Sequence, residues 1–214
     1  MIFLRNNSLR LVMMKRMLNS VHNQAVFKRR VRVLSNLVGN LIKVGEHTGL
    51  DIGCGDGSIA TNIIRNNKSL LFDGVDVIER PAALIPTTLY DGVTLPFESN
   101  SYDFVVIVDV LHHCDHPDEV LAEASRVCRK AIIIKDHLCE NKFNHATLRF
   151  MDWVGNRGHE VRLPYNYLSR ARWTAIFEKL HLDVDVWQTT LNLYPQPFDL
   201  VFGGKLHFLA RIEK

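Results

Sequence analysis

The sequence predicts an α/β fold in which an open, largely parallel sheet carries helices on both faces. From His47 onward, short apolar runs alternate with segments of helical periodicity, as in successive strand–helix–strand units. The run "YDFVVIV" at residues 102–108 is almost wholly apolar, which is typical of a strand buried on both faces. A glycine-rich turn at residues 53–57 joins the first predicted strand to the first predicted helix, where open α/β sheets bind ligands.

The predicted strands are apolar runs that end at polar residues. The third strand is poorly marked, because Pro81 and Pro86 interrupt its surroundings. The remaining runs are clearer, since they are bounded by charged residues or by glycine. Strands are expected at 48–52, 69–77, 83–90, 102–108 and 130–135, with two more in "LDVDVWQTTL" and "GGKLHFLARIEK".

The predicted helices rest on apolar residues that recur three and four positions apart. Pro117 suits the first turn of one helix, because proline needs no amide hydrogen-bond acceptor there. Ser169 can cap the start of another, whose inner face holds Trp173, Ile176, Phe177 and Leu180. Helices are expected at 24–43, 58–65, 117–127 and 141–155 and after Ser169, with a further helix at 1–20 and a loop at 156–167.

The chain has 214 residues, a length that suits one domain with a substantial core. Its charge is unevenly distributed, because residues 1–45 hold nine of the 26 Lys and Arg residues and none of the 23 Asp and Glu residues. We therefore divide the chain into a basic helical N-terminal extension, 1–45, and an α/β domain, 46–214. A substrate-side insertion is expected around 141–168.

Several classes of protein are disfavoured by composition. No window holds eighteen uninterrupted apolar residues, and the N-terminus lacks the apolar run of a secretory signal. Four cysteines without paired metal spacing indicate reduced thiols in a cytoplasmic protein. The basic extension is read first as a cap over the ligand site. Alternatively, the extension makes peripheral contact with an anionic membrane, or it is an organellar presequence. RNA binding is the weakest interpretation of the extension.

The glycine loop indicates the kind of cofactor. Its string from Gly53 to Ser58 is G-x-G-x-x-S, whereas a dinucleotide fold favours G-x-G-x-x-G for its pyrophosphate. Asp56 would also place a negative charge beside a diphosphate. A cationic cofactor without phosphate suits this acidic loop better, which disfavours a nicotinamide-dependent oxidoreductase.

Acidic residues follow the next two predicted strands. Asp76 lies 19 positions after Gly57, where a carboxylate can accept hydrogen bonds from both ribose hydroxyls. Asp91, in "YDGVTLPF", could accept from an adenine exocyclic amine. Each acid alone could be an ordinary turn residue. Together, at successive strand ends, they indicate a nucleoside site.

These motifs together resemble a known family. "LDIGCGDG", "GVDV" and "DGVTLPFESNSYDFVVIVDVLHHCDHP", within residues 48–136, are similar to the class I S-adenosylmethionine-dependent methyltransferases, and specifically to the methyltransferase-11 group. The resemblance implies a Rossmann-like sheet of seven strands whose last strand runs antiparallel. It also implies S-adenosylmethionine as the cofactor. The cofactor-binding residues that it implies are Asp51, Gly53, Cys54, Gly55, Gly57, Asp76, Val77, Asp91, Gly92 and Asp109.

Histidines near the strand ends are the candidate bases for a methyl acceptor that arrives protonated. His113 follows the fourth strand and His137 follows the fifth, so both lie at the carboxyl edge where ligands bind. Alternatively, "LHH" is a packing and turn element. No metal is expected, because the adjacent side chains His112 to His116 cannot converge on one ion and no second cluster is evident.

The insertion is the expected source of substrate specificity. It supplies aromatic residues beside polar ones, as a pocket for a small organic ligand requires. Phe150 and Trp153 could instead pack a helix on the sheet. "LPYNY" only superficially resembles the Asn-Pro-Pro-Tyr signature of amino-group methyltransferases, and it lies in the wrong place, so nucleic-acid methylation is unlikely. The further residues of this segment are Asp152, Arg157, His159, Arg162, Tyr165 and Tyr167.

The sequence thus predicts a methyltransferase that acts on a small-molecule or lipid-like acceptor. A non-catalytic, methyltransferase-like protein that binds the cofactor and acts through a partner is the alternative, because the glycine loop and the acids establish binding alone.

Overall fold

A computed structural model describes residues 27–155 and 164–214. Seven strands form one sheet in the order β3-β2-β1-β4-β5-β7-β6. The pairs β2–β3, β1–β2, β1–β4 and β4–β5 are parallel, whereas β7 runs antiparallel to both β5 and β6. The predicted α/β sheet with an antiparallel last strand is confirmed. The strands are β1 Thr48–Ile52, β2 Leu71–Asp76, β3 Thr87–Leu89, β4 Tyr102–Val108, β5 Cys128–His137, β6 Asp183–Gln188 and β7 His207–Glu213.

Five α-helices flank the described part of the sheet. Ser169 caps the last of them by accepting a hydrogen bond from the Arg172 amide, and Trp173 and Phe177 are buried, as the sequence predicts. Within the described ranges, no helix is both long and apolar enough to cross a bilayer. The helices are α1 at 27–39, α2 Ser58–Asn66, α3 Pro117–Val127, α4 Lys142–Gly155 and α5 Arg170–Lys179, with a 3-10 turn at Leu111–His113 and a π-helical turn at Asp199–Gly203.

The predicted boundaries differ from the structure mainly at two strands. The third strand is only three residues long, because it pairs with β2 only from Thr87 to Leu89. The fifth strand extends past the predicted 130–135 to His137, because β7 pairs with it as far as His207. The predicted helix at 1–20 and most of the predicted loop at 156–167 lie outside the described residues.

The two faces of the sheet carry separate hydrophobic cores. One core contains Leu50, Ile107 and Trp173 and packs α3 and α5 against the sheet. The other contains Leu34 and Ile63 and packs α1 and α2 against the opposite face. The described part of the basic extension is therefore a core helix of the domain.

Candidate active site

The glycine loop leaves β1 and turns sharply before α2. Gly53, Gly55 and Gly57 all have positive φ, at 68°, 57° and 76°, which residues with a Cβ rarely adopt. The amides of Gly53 and Cys54 both donate to Val75 O, at 2.8 and 3.1 Å. The loop is therefore held against the end of β2.

The three glycines face different surroundings. A Cβ on Gly53 would lie 2.4 Å from Val110 Cγ2, and one on Gly57 would lie 2.8 Å from Ile85 Cγ1. At Gly55, by contrast, a Cβ would have no atom of the described residues within 4 Å. Gly53 and Gly57 let the loop pack closely on the protein, whereas Gly55 presents its backbone to open space.

Asp51 is a buried carboxyl group beside this loop, with only 4% of its surface exposed. Within the described part of the chain, no group donates a hydrogen bond to its side chain. Burial, together with the nearby charge of Asp76, raises the pKa of Asp51 from 3.8 to about 7. A buried carboxyl without a partner favours a ligand that brings positive charge.

Asp76 ends β2 and faces the same loop. Its Oδ2 accepts from Gly55 N at 3.0 Å, and its Oδ1 accepts from Ile78 N at 2.9 Å. Arg80 Nε donates to Oδ2 at 3.3 Å. These contacts fix the carboxylate beside the open face of Gly55, where the sequence places the ribose.

The residues predicted to flank an adenine lie at the ends of β2 and β3. Val77 is 56% exposed, and a Cβ on Gly92, whose φ is 90°, would lie 3.2 Å from Val77 Cγ1. The exposed carboxylate of Asp91 accepts from Val93 N and Thr94 N, and these bonds lower its pKa. The exposed valine and the glycine thus form an open apolar shelf bordered by an acid.

Cys54 packs its sulfur against neighbouring strands of the fold. Its Sγ lies 3.6 Å from Thr87 Oγ1, and a Cβ on Gly74 would lie 2.6 Å from this sulfur. Burial raises the pKa of the Cys54 thiol to about 11, so the group is a thiol at neutral pH. All four cysteines are free, as the sequence predicts.

Asp109 follows β4, lies beside Val110, which packs against Gly53, and belongs to a second polar cluster. Its φ is 57°, and its amide donates to Lys135 O at 2.8 Å. Its carboxylate accepts from Arg30 of α1 and from Lys135 of β5, and the Lys135 side chain is fully buried. Although burial alone would raise it, the pKa of Asp109 is held well below its usual range by these two cations.

His112 is bound tightly within the turn that follows β4. Its Nδ1 lies 2.6 Å from Asp136 Oδ1, and the ring is 2% exposed. Burial opposes the charged form, but Asp136 outweighs it and raises the pKa of His112. The turn interpretation of "LHH" therefore agrees with the position of His112.

The two predicted catalytic histidines have different environments. His137 is 4% exposed, and burial together with His112 lowers its pKa to about 4. Its Nδ1 lies 3.1 Å from His112 Nδ1. His113 is half-buried, and within the described part of the chain its Nδ1 is buried without a hydrogen-bond partner.

The described part of the insertion contributes to the same cluster from α4 and from the segment that precedes α5. Tyr167 donates its hydroxyl to Asp152, and its ring lies 5.9 Å from the His112 ring. Phe150 and Trp153 are 55% and 51% exposed, so their alternative reading as packing residues is wrong. Arg157, His159 and Arg162 lie outside the described residues.

The sequence pointed to Asp136 beside His137 at the end of the fifth strand, but it did not reveal three other members of this cluster, namely Arg30, Lys135 and His207. Lys135 Nζ lies 3.3 Å from His207 Nδ1, and His207 Nε2 lies 2.9 Å from Phe202 O. Charged residues within or beside the run "KAIIIKDH" were the available signal, since the strand ends of an open sheet converge at its ligand edge.

Comparisons with known proteins agree with this geometry. A family model described as "Methyltransferase domain" matches residues 50–133. The ubiquinone/menaquinone biosynthesis C-methyltransferase of Paraburkholderia phymatum is 27% identical over 134 residues, which cover 59% of this chain and 52% of that protein. The chain thus spans about half the length of the curated relatives that it matches.

Solved structures share the fold at low sequence identity. A SAM-dependent methyltransferase from Aquifex aeolicus has a TM-score of 0.55 at 17% identity, covering 78% of this chain and 81% of that one. A geranyl diphosphate methyltransferase in complex with GPP and sinefungin has a TM-score of 0.63 at 14% identity, covering 84% of this chain and 76% of that one.

The sheet order, the glycine loop and the acids at the strand ends define a nucleoside-binding α/β protein of the methyltransferase type. Residues 50–133 match a methyltransferase domain, and the fold is that of the class I S-adenosylmethionine-dependent methyltransferases. Its cofactor is S-adenosylmethionine. The residues present fit that group, because its sulfonium and ammonium are cations and Asp51 is a buried carboxyl that accepts no hydrogen bond from any described residue.

Proposed function

We propose that this protein transfers the methyl group of S-adenosylmethionine to a small, lipid-like or aromatic acceptor. One observation carries the proposal. Asp109 follows β4 next to Val110, which packs on Gly53 of the glycine loop, and it interacts electrostatically with two buried histidines, His112 and His137, that lie beside Tyr167. A few convergent polar groups bordered by aromatic rings are typical of small-molecule sites.

The relatives support the same class of acceptor. The name of the Paraburkholderia relative specifies carbon methylation in quinone biosynthesis, and that of the structural neighbour specifies geranyl diphosphate. Both names refer to molecules with an apolar portion. The exposed rings of Phe150 and Trp153 on α4, 6.5 Å apart, offer an apolar surface near Tyr167 for such a portion.

The cofactor supplies an activated methyl group, so the protein has to place the acceptor and exclude water. Asp51 and Asp76 hold the cofactor side of the site, and Arg30 and Lys135 hold Asp109 in place between that side and the cluster. Positioning of this kind can contribute about 7–11 kcal/mol in favourable cases.

We assign the transfer of the acceptor's proton to His113, with His137 as the second candidate. His113 Nδ1 has no hydrogen-bond partner within the described residues, so it can receive a proton without breaking an existing bond. His137 Nδ1 already faces His112 at 3.1 Å. Replacing His113 by Ala is expected to lower turnover about 10²–10⁴-fold. Cofactor affinity, measured by calorimetry, should be unchanged, and an equal loss of both would contradict a role in proton transfer.

Replacing Asp76 by Ala is expected to weaken cofactor binding at least tenfold. The substitution removes the carboxylate that accepts from Gly55 N and Ile78 N, and with it the acceptor for the ribose hydroxyls. Isothermal titration with S-adenosylmethionine and S-adenosylhomocysteine measures the effect. Asp183→Ala is the control, because Asp183 is an exposed acid at the start of β6. Equal cofactor affinity in the Asp76→Ala and Asp183→Ala variants would contradict the assignment of Asp76.

The activity is tested with methyl-labelled cofactor and three classes of acceptor. A prenylated phenol, a polar amine and a short RNA are offered separately to the full chain. We expect label in the prenylated phenol alone, at a rate that the Asp76→Ala variant reduces. Cofactor binding without transfer to any acceptor in the panel or in a cell extract would favour the non-catalytic alternative instead.

A further inference from the structure

Three potential metal ligands converge where the turn at 111–113 meets the end of β5. His112 Nδ1 lies 2.6 Å from Asp136 Oδ1 and 3.1 Å from His137 Nδ1, and the third separation, from His137 Nδ1 to Asp136 Oδ1, is 3.6 Å. All three residues are buried, with exposed fractions of 2%, 0% and 4%. They come from two strand ends that are far apart in sequence, which is why the motif around "LHHCDH" alone did not reveal the set.

The spacing of these atoms suits a single small cation. A metal–nitrogen distance of about 2.0–2.1 Å in a tetrahedral zinc site places neighbouring ligand atoms about 3.3 Å apart. The three observed separations lie on either side of that value. Because an ionised carboxylate only accepts, the 2.6 Å contact places a proton on His112 Nδ1, and a cation bound by the three atoms would replace that proton.

The far sides of both imidazoles face one carboxylate. Asp152 Oδ2 lies 3.6 Å from His112 Nε2, and Asp152 Oδ1 lies 4.0 Å from His137 Nε2. The Tyr167 hydroxyl donates to Asp152 and orients it. Metal-binding histidines commonly have such a carboxylate behind them, because it fixes the ring and selects the tautomer whose other nitrogen is free to bind.

The backbone also fixes the orientation of the carboxylate in the set. Leu111 N donates to Asp136 Oδ2 at 2.9 Å, and His137 N donates to Asp136 Oδ1 at 2.7 Å. The ligand atoms are therefore held in place by the fold itself. Little reorganisation is needed when a cation replaces the proton between His112 Nδ1 and Asp136 Oδ1.

We propose that His112, Asp136 and His137 bind one divalent transition-metal cation of the zinc type. A set of two imidazole nitrogens and one carboxylate oxygen binds such cations in preference to Mg²⁺ or Ca²⁺. Three protein ligands leave a fourth position for water or for a heteroatom of an acceptor. A cation here would exclude His137 as a proton acceptor and leave that role to His113.

The proposal is tested by metal binding, which does not depend on methyl transfer. The full chain without an affinity tag is stripped with a chelator, dialysed and titrated with Zn²⁺ by calorimetry and with Co²⁺ by visible absorbance. We expect one ion per chain and the absorption bands of a tetrahedral Co²⁺ site. His112→Ala and His137→Ala should each abolish the site, whereas Asp152→Asn should weaken it about 10–100-fold.

His116 provides the matched control, because it lies in the same segment and is exposed. His116→Ala should bind the ion as tightly as the original chain. Circular dichroism at the titration temperature shows whether each variant is folded, and Asp152→Asn keeps the test informative if a ligand variant unfolds. Absence of a stoichiometric ion in the original chain, or equal affinity in the Asp152→Asn and His116→Ala variants, would overturn the proposal.

Discussion

Replacing Asp51 by Asn is expected to stabilise the cofactor-free protein at pH 8 by up to about 4 kcal/mol. The carboxyl group is buried, and burial and Asp76 raise its pKa from 3.8 to about 7. Above pH 7 the folded protein therefore has to hold a buried carboxylate beside a second one. Asparagine occupies a similar volume without this charge, so the electrostatic cost disappears.

The sign of the pH dependence follows from the raised pKa. Between pH 4 and pH 7 the folded state keeps the Asp51 proton and the unfolded state has lost it, so the free energy of unfolding falls as the pH rises. Above about pH 7 both states are ionised and this contribution stays constant. The difference in stability between Asp51→Asn and the original chain should therefore be small at pH 4 and reach its full size at pH 8.

Urea unfolding at pH 4, 6 and 8 measures this difference. Asp183→Asn is the control, because this exposed acid on β6 is expected to change stability little at any of these pH values. The same Asp51→Asn variant should bind S-adenosylmethionine more weakly, since the cation loses its buried counter-charge. A variant that is less stable at pH 8, or that binds the cofactor as tightly as the original chain, would contradict this account of Asp51.

Opposite effects on stability and on cofactor binding would identify Asp51 as a residue that is retained for its ligand.

Local sequence rules identify the position of Asp51 well. A carboxyl group that ends a buried strand ahead of a glycine turn is visible in "LDIGCGDG". Its burial, and hence its pKa, also depends on neighbours from β2 and β4, which only the folded sheet brings together.

The sequence predicts those parts of the fold that depend on local pattern. The strand at Tyr102–Val108 was placed correctly because a strand buried on both faces needs an uninterrupted apolar run. Thr87–Leu89 was placed poorly because an edge strand of three residues buries little and leaves little pattern. The end of β5 depends on pairing with the distant β7, and no local rule contains that information.

The polar cluster was largely unpredictable for the same reason. Arg30 lies in a helix that appears basic in the sequence, and Lys135 lies at the end of an apolar run, so both resemble exposed residues. Their common partner is Asp109, which the resemblance assigned to the cofactor side. The 33% exposed Arg30 and the fully buried Lys135 meet at Asp109 because α1 packs on the sheet. The interpretation of the basic extension as a cap over the ligand site stays a prediction.

Replacing Arg211 by Met is expected to lower the free energy of unfolding by about 3–5 kcal/mol. Arg211 of β7 and Glu46 form a buried ion pair at 2.6 Å, with both side chains 2% exposed. Arg211 Nη1 also donates to Leu41 O at 2.8 Å, just beyond α1. Removing the guanidinium would leave the Glu46 carboxylate buried without its counter-charge, and this desolvation cost dominates the loss.

A double-mutant cycle measures the coupling of this pair. Arg211→Met, Glu46→Gln and the combined variant are unfolded in urea, and the combined loss should be clearly smaller than the sum of the single losses. Lys179→Ala serves as the control, because its ion pair with Asp118 is exposed, shares no partner with Arg211 among the described contacts and should add little. Additive losses would show that the pair does not act as a unit.

Leu41 and Glu46 follow α1 in the chain, so a coupled pair would also anchor this helix, whose Arg30 contacts Asp109. In that case Arg211→Met should weaken cofactor binding as well, although it lies outside the glycine loop.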